Sequence, residues 1–249
     1  MPRICFITGT DTDVGKTVLA GSLTRYLRRR GVVVAALKPI SSGGRSDARE
    51  LSSALDGALS PDEINPWHFR AALAPLLAAR LERKRVVLAD VLAHVRNIQS
   101  GSRISPRAHA RSYPKRDVHI QRRFELVLIE GAGGLLSPLG EGFDSRNLIV
   151  DLDASPVVVA PNRLGIVNQV LLTIEALPRS SARKACVVLM SPHREDAASM
   201  TNSKLLSEFF GARRVLVFPW LNTNRELATQ VEKPRVRRVL KSLAQRLLS

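Results

Sequence analysis

Gly9-Thr10-Asp11-Thr12-Asp13-Val14-Gly15-Lys16-Thr17 follows the apolar run Ile4-Cys5-Phe6-Ile7 and precedes Val18, Leu19, Leu23, Tyr26 and Leu27 at helical spacing. A strand, a glycine-containing turn ending Gly-Lys-Thr and a helix form the context in which such a string binds phosphate. Gly15 lets the backbone approach a phosphate, the N–H groups of the first helical turn point at it, Lys16 neutralises its charge, and the Thr17 hydroxyl is a hard ligand for Mg²⁺. Asp13, Val14, Gly15, Lys16, Thr17 and Val18 are therefore expected to wrap a nucleotide. The strict pattern has glycine where this chain has Thr10, so the loop is one residue longer, and it carries the carboxylates of Asp11 and Asp13.

Other chemistry-bearing residues fall where strands should end. Lys38-Pro39 closes the apolar run Val32 to Leu37 and leads into Ser41 and Ser42. Glu130, at the end of Phe124 to Ile129, is followed by Gly131-Ala132-Gly133-Gly134, and Leu164 to Asn168 follows the run Pro156 to Ala160. In doubly wound sheets ligands sit at the carboxyl ends of strands, and an acid followed by glycines there marks close passage of backbone past a ligand.

The elements that must position these residues are legible as alternating runs. The spacing predicts a helix from the loop to about Arg30, stopped by Gly31, and a short helix capped by Ser46 that carries Asp47. Pro61 to Pro66 reads as turn, Ala71 to Leu81 as a helix that could begin near Pro75, and Val86 to Val95 as a helix. Ala185 to Met190 and Val215 to Phe218 are strands, Ser203 to Phe210 a helix, and Val236, Val239, Leu240, Leu243 and Leu247 mark a C-terminal amphipathic helix. Strands alternating with helices predict an α/β fold: a single-domain three-layer sandwich with a mainly parallel, doubly wound sheet of the P-loop NTPase type. Residues 98–123, rich in Ser, Gly, Pro and Arg, read as a flexible basic insertion.

A chain of 249 residues is long enough for one large core. No apolar run approaches the roughly 20 residues of a bilayer-spanning helix and no signal peptide precedes the first strand, so a cytoplasmic protein is expected. Cys5 and Cys186 lie in buried-strand patterns and read as core residues of a reducing compartment. The formal charge of +16 gathers in residues 96–123 and in the tail from Lys233 to Arg246. With Tyr113 as the one aromatic of the segment 98–123, little base stacking is available, and nucleic acid is not the expected partner. His68, His94, His109, His119 and His193 show no metal spacing.

Taken together, the loop 9–17, Lys-Pro-Ile-Ser-Ser-Gly (38–43), Ser-Asp-Ala (46–48), Ile-Asn-Pro-Trp-His-Phe (64–69), Glu-Gly-Ala-Gly-Gly (130–134), Leu-Gly-Ile-Val-Asn (164–168) with Leu-Leu-Thr-Ile-Glu-Ala-Leu (171–177), and Pro-Trp-Leu (219–221) resemble dethiobiotin synthetase, in the family's order and over most of the chain. The resemblance implies an ATP- and Mg²⁺-dependent ligase: CO2 and an amine of 7,8-diaminononanoate give a carbamate, which attacks the γ-phosphorus of ATP. The second amine then closes the ring. It implies catalytic roles for Thr12, Lys16 and Lys38, nucleotide contacts at Glu130 and Gly133 beside the loop, and metal ligation by Thr17, Asp47 and Glu130. Substrate contacts are implied at Thr12, Lys38 and Ser42, and at Gly165, Ile166 and Asn168 from a neighbouring subunit of a homodimer. The chain departs from the family at Leu76, where relatives usually have histidine, and at Ser191, where many have asparagine. Two other readings are a P-loop switch or partitioning ATPase that binds partners or nucleic acid through its basic surface, and a degenerate nucleotide-binding paralogue. The switch class typically carries an extra lysine near the loop's start, a position held here by Thr10 or Asp11.

Overall fold

The computed structural model describes residues 3–101, 124–223 and 226–249. In chain order the strands are β1 (Arg3–Gly9), β2 (Val34–Leu37), β3 (Ile40–Ser42), β4 (Trp67–Phe69), β5 (Leu126–Glu130), β6 (Ser155–Pro161), β7 (Cys186–Met190) and β8 (Val215–Phe218). The helices are α1 (Lys16–Arg28), α2 (Ser46–Ala54), α3 (Pro61–Ile64), α4 (Pro75–Leu81), α5 (Leu88–Ser100), α6 (Ser145–Asp151), α7 (Ile166–Glu175), α8 (Arg179–Lys184), α9 (Ala197–Phe210), α10 (Leu227–Gln230) and α11 (Pro234–Leu248).

The continuous apolar runs become the interior of a parallel six-stranded sheet ordered β2-β5-β1-β6-β7-β8. Every residue of β2 and β5 is buried, and so is β1 from Ile4 onward, as expected of strands covered on both faces. On one side of β1 the chain places β2 at the edge and then inserts β5 between the two; on the other it builds outward through β6, β7 and β8. The reversal falls at β1, whose carboxyl end carries the phosphate loop, and that is where an open α/β sheet binds its ligands. Helices α1 and α11 pack on each other and on β1, while α7 and α9 pack together, α7 on β6 and α9 on β8. The result is the expected three-layer sandwich.

Register sets the site. Ile7 of β1 stands opposite Glu130, and Leu37 of β2 stands opposite Ile129. One step beyond that last pair, Lys38 and Glu130 leave the sheet side by side. Buried Val236, Leu240, Leu243 and Leu247 form the inner stripe of α11, with Arg235, Arg237, Arg238 and Lys241 exposed on its other face.

Several boundaries differ from the sequence reading. Ser46 is the first residue of α2, not its cap: Arg45 holds the N-cap position without a side-chain cap. Within the expected turn 61–66, Pro61–Ile64 forms α3, closed by a capping box between Ser60 and Glu63. The helix expected over 71–81 begins at Pro75, where the missing N–H costs nothing. Helix α5 runs to Ser100, past the start of the expected insertion, and ends on Gly101 in the left-handed region; the rest of that insertion lies outside the described residues. Helix α9 starts at Ala197, ahead of Ser203, because Asp196 accepts from the Ser199 N–H and caps it. The parallel pair β3–β4 and helix α6, capped by Asp144, were not foreseen. Among the described residues no helix is long and apolar enough to cross a membrane. Cys5 and Cys186 are free and buried, and burial raises both thiols, Cys186 to about 11, which makes them inert core residues.

Candidate active site

The phosphate loop curls around its own glycines. A β-carbon on Gly9 would stand 2.8 Å from the Val14 side chain and 3.0 Å from the Asp11 carbonyl, so no other residue fits beneath the turn. Gly15 has φ 96°, which L side chains rarely adopt, and the Met190 side chain would lie 3.0 Å from an added β-carbon. Asp13 also takes a left-handed φ of 55°, and the Asp11 carboxylate accepts from the Thr12 N–H at 2.7 Å. These bends turn the loop so that Lys16 Nζ donates to the Asp11 carbonyl at 2.7 Å. Burial, and then the charge of Lys38, lower the Lys16 pKa to about 8 despite the opposing pull of Glu130, Asp13 and Asp11. An amine so easily neutralised gains from an anion placed beside it.

Next to the loop, residues from separate elements meet. Thr17 Oγ1 donates to Glu130 Oε1 at 2.7 Å, and Lys38 Nζ donates to the same oxygen at 2.7 Å and to Asp47 Oδ2. Glu130 is 2 % and Lys38 6 % exposed, so this is a buried ion pair with Asp47 closing its more open side. Burial alone would lower the Lys38 pKa; the two carboxylates outweigh it, and the net shift is upward. Glu130 Oε2 is buried and takes no hydrogen bond.

The backbone of Lys38 is held by Asn65, a residue of the motif 64–69 to which the sequence assigns no role. Asn65 is fully buried, donates from Nδ2 to the Lys38 carbonyl at 2.7 Å, and accepts on Oδ1 from Ser41 Oγ at 2.9 Å. The Lys38 N–H in turn donates to the Ile64 carbonyl at 3.0 Å. Asn65 lies within both the expected turn 61–66 and the motif Ile-Asn-Pro-Trp-His-Phe, and its place between an apolar residue and Pro66 was the available signal.

A cleft of about 720 Å³ opens over this cluster. It is lined by Thr12, Asp13, Gly15, Lys16, Thr17 and Val18 from the loop, and by Lys38, Ser42, Asp47, Glu130 and Gly133 from other elements. Ser41 and Ser46, which stand in the motifs 38–43 and 46–48, also line it, as does Ser137, which no motif includes. Val14 is packed into the core, so it offers only its backbone. Gly165, Ile166 and Asn168 do not line the cleft of their own chain. Ile166 is buried and its N–H donates to the Arg163 carbonyl at 3.2 Å, which leaves Gly165 and Asn168 exposed at the start of α7.

The donor set fits a hard divalent cation. Two carboxylates and a hydroxyl converge, with one buried carboxylate oxygen to spare, and Mg²⁺ in phosphate-transfer sites takes one or two carboxylates and completes its shell with phosphate and water. No group of three or more His, Cys, Asp and Glu residues able to hold a metal occurs among the described residues, so a metal here would depend on those further oxygens.

Comparison with known proteins decides between the readings that a phosphate loop leaves open. A family profile described as "AAA domain" matches residues 3–226. The ATP-dependent dethiobiotin synthetase BioD of Akkermansia muciniphila is 32% identical over 211 residues, 84% of this chain and 89% of that protein. The enzyme of the same name from Anaeromyxobacter sp. strain Fw109-5 is 37% identical over 202 residues, 80% of this chain and 81% of that protein. The chain belongs to the dethiobiotin synthetase family. A chain of the MinC:MinD cell division protein complex of Aquifex aeolicus superposes with a TM-score of 0.57, covering 98% of this chain and 94% of that one at 12% identity. That likeness establishes the P-loop fold alone. Within the dethiobiotin synthetase fold, Asn65 thus fixes the strand end that presents Lys38. Asn65→Ala is expected to lower stability in urea unfolding by about 1–3 kcal/mol, the scale of a buried acceptor left unsatisfied; an unchanged midpoint would remove Asn65 from this role.

Proposed function

We propose that the chain catalyses the ATP-dependent carboxylation and ring closure of 7,8-diaminononanoate with CO2, giving dethiobiotin, ADP and phosphate. What carries this reading is the meeting, in one cleft beside the phosphate loop, of Lys16 and Lys38 with the hydroxyl of Thr17 and the carboxylates of Asp47 and Glu130, in a chain of this family.

A carbamate and a triphosphate are both anions and must be brought together. Lys16 and Lys38 supply the positive charge that makes their approach favourable, and catalysis of phosphoryl transfer rests mainly on such positioning and charge. The carbamate oxygen attacks the γ-phosphorus and ADP leaves. The second amine then attacks the carbamoyl carbon, the carbon–oxygen bond to phosphate breaks, and phosphate departs as the ring closes. Thr12 and Ser42, which both line the cleft, supply hydroxyls for the diamine or carbamate. The backbone from Asp13 to Val18, with Gly133, wraps the nucleotide. Thr17, Asp47 and Glu130 would hold Mg²⁺, which when bound shields the phosphate oxygens from the incoming carbamate.

The substrate carboxylate belongs, in this reading, to the N-terminus of α7 in a neighbouring subunit, with Gly165 and Asn168 exposed there to receive it, while Ile166, its N–H held by the Arg163 carbonyl, anchors that turn from the core. The enzyme is then a homodimer with shared sites, working in the cytoplasm on small molecules, with no part for nucleic acid or membrane. Its basic tail needs no partner to be explained, since α11 carries its charges on a solvated face.

Incubation with diaminononanoate, bicarbonate and MgATP should yield dethiobiotin, and Lys16→Ala should lower the rate by about 10²-fold or more, as loss of a single stabilising donor does. Product formation by that variant at the unsubstituted rate would reject the site. Asn168→Ala should be impaired as well. Mixing the two impaired variants should recover about a quarter of normal activity, because random pairing gives half the molecules as heterodimers with one intact shared site. No recovery on mixing would mean that Asn168 does not act across subunits.

A further inference from the structure

Lys38 is a required cation in the reading above, yet in this structure its amine lies against the carboxylates assigned to the metal. The hard oxygens of Glu130 and Asp47 both accept from Nζ, and Thr17 Oγ1 shares Glu130 Oε1 with it. We propose that Lys38 is the resident counter-ion of the cation site, so that a divalent ion displaces its amine, and metal loading and release of Lys38 toward the reacting anions are one event. The proposal rests on the assignment of Thr17, Asp47 and Glu130 as metal ligands.

Several observations support an exchange over simple coexistence. Glu130 is almost wholly buried, and a buried carboxylate stripped of its partner is strongly destabilising. Some cation must therefore be present at all times. Mg²⁺ approaches its oxygens to about 2.0–2.1 Å, whereas the amine nitrogen stands 2.7 Å from Glu130 Oε1; both cannot take the inner side of the same carboxylates without close like-charge contact. Glu130 Oε2 is left buried and unpartnered, so the monovalent amine satisfies the carboxylate only in part and a divalent ion satisfies it better. The movement is confined to the side chain, because the Lys38 N–H and carbonyl are fixed by Ile64 and Asn65. A flexible four-carbon stem can then carry the ammonium into the cleft, on the side lined by Ser41 and Ser42.

Such an exchange gives the enzyme an order of events. Before the metal arrives, Lys38 is held by carboxylates and offers little to a carbamate. Once the metal takes the carboxylates, the lysine is free for the anion that the metal-bound nucleotide meets.

The test uses nucleotide-free protein with Mn²⁺ alone as the probe, free Mn²⁺ being read by electron paramagnetic resonance. Lys38→Met should bind Mn²⁺ about tenfold or more tightly than the unsubstituted protein, the scale of an ordinary coupling between competing ligands. Lys38→Met/Glu130→Gln, which removes the buried charge too, should lose that gain. If Lys38→Met is poorly folded without metal, its melting temperature should rise more on adding Mg²⁺ than that of the unsubstituted protein; an equal or smaller rise would overturn the proposal. Equal or weaker Mn²⁺ binding by a folded Lys38→Met would also overturn it. In that event Glu130→Gln distinguishes the cause: weakened Mn²⁺ uptake with ATP present leaves the metal assignment standing, and unchanged uptake removes the assignment as well.

Discussion

A carboxylate buried at the tip of a central strand is the constraint on which the rest of the site depends. Glu130 ends β5 between β1 and β2, almost wholly out of water, where an unpaired charge would be strongly destabilising. Lys38 compensates it from the neighbouring strand, and the hydroxyl of Thr17 adds a hydrogen bond from the first turn of α1. Each partner is held in turn. The bends at Asp13 and Gly15 set where α1 begins, Asn65 and Ile64 hold the Lys38 backbone, and α2 brings Asp47 to the same amine. A buried ion pair of this kind is weak evidence for stability, and the proposed reaction gives its charges a use.

The sheet explains why such distant residues meet. Parallel order gives every strand the same direction, so β1, β2 and β5 deliver the phosphate loop, Lys38 and Glu130 to one edge. Their register then puts lysine and glutamate at the same level. The two wanted charges thus come from the strand ends, and the loops have only to complete the cleft. The phosphate loop is bent for its task, with Gly9 making room for its close turn and Gly15 adopting a φ that side chains disfavour.

Much of this was legible in the residues. The run Ile4 to Ile7, the Gly-Lys-Thr ending and the helical spacing after it define β1, the loop and α1, and the apolar run Val215 to Phe218 is β8 as expected. What stayed hidden was of a different physical kind. Strands β3 and β4 are three residues each, too short for an alternating pattern. Helix α3 is set by a single capping box and spans four residues. The contact of Lys38 with Glu130 joins positions 92 apart in sequence, and no local pattern encodes a register between strands. The role of Asn65 was hidden for the same reason, although the motif 64–69 contains it, because its meaning lies in the strand end it braces. Ser46 shows the opposite failure, a good capping residue placed one position inside the helix it was expected to cap.

The chemistry of the cleft joins a carbamate to the γ-phosphorus and then expels phosphate as the ring closes. In that sequence one oxygen of CO2 is transferred to phosphate, because the bond that breaks last lies between carbon and the bridging oxygen. A single turnover with ¹⁸O-labelled CO2, diaminononanoate and MgATP, followed by mass analysis of both products, tests it directly. The expected result is one labelled oxygen in the inorganic phosphate for each dethiobiotin formed, with another retained in the ring carbonyl. Phosphate released without label, at the same rate with or without the diamine, would contradict the account and leave a nucleotide hydrolase in its place.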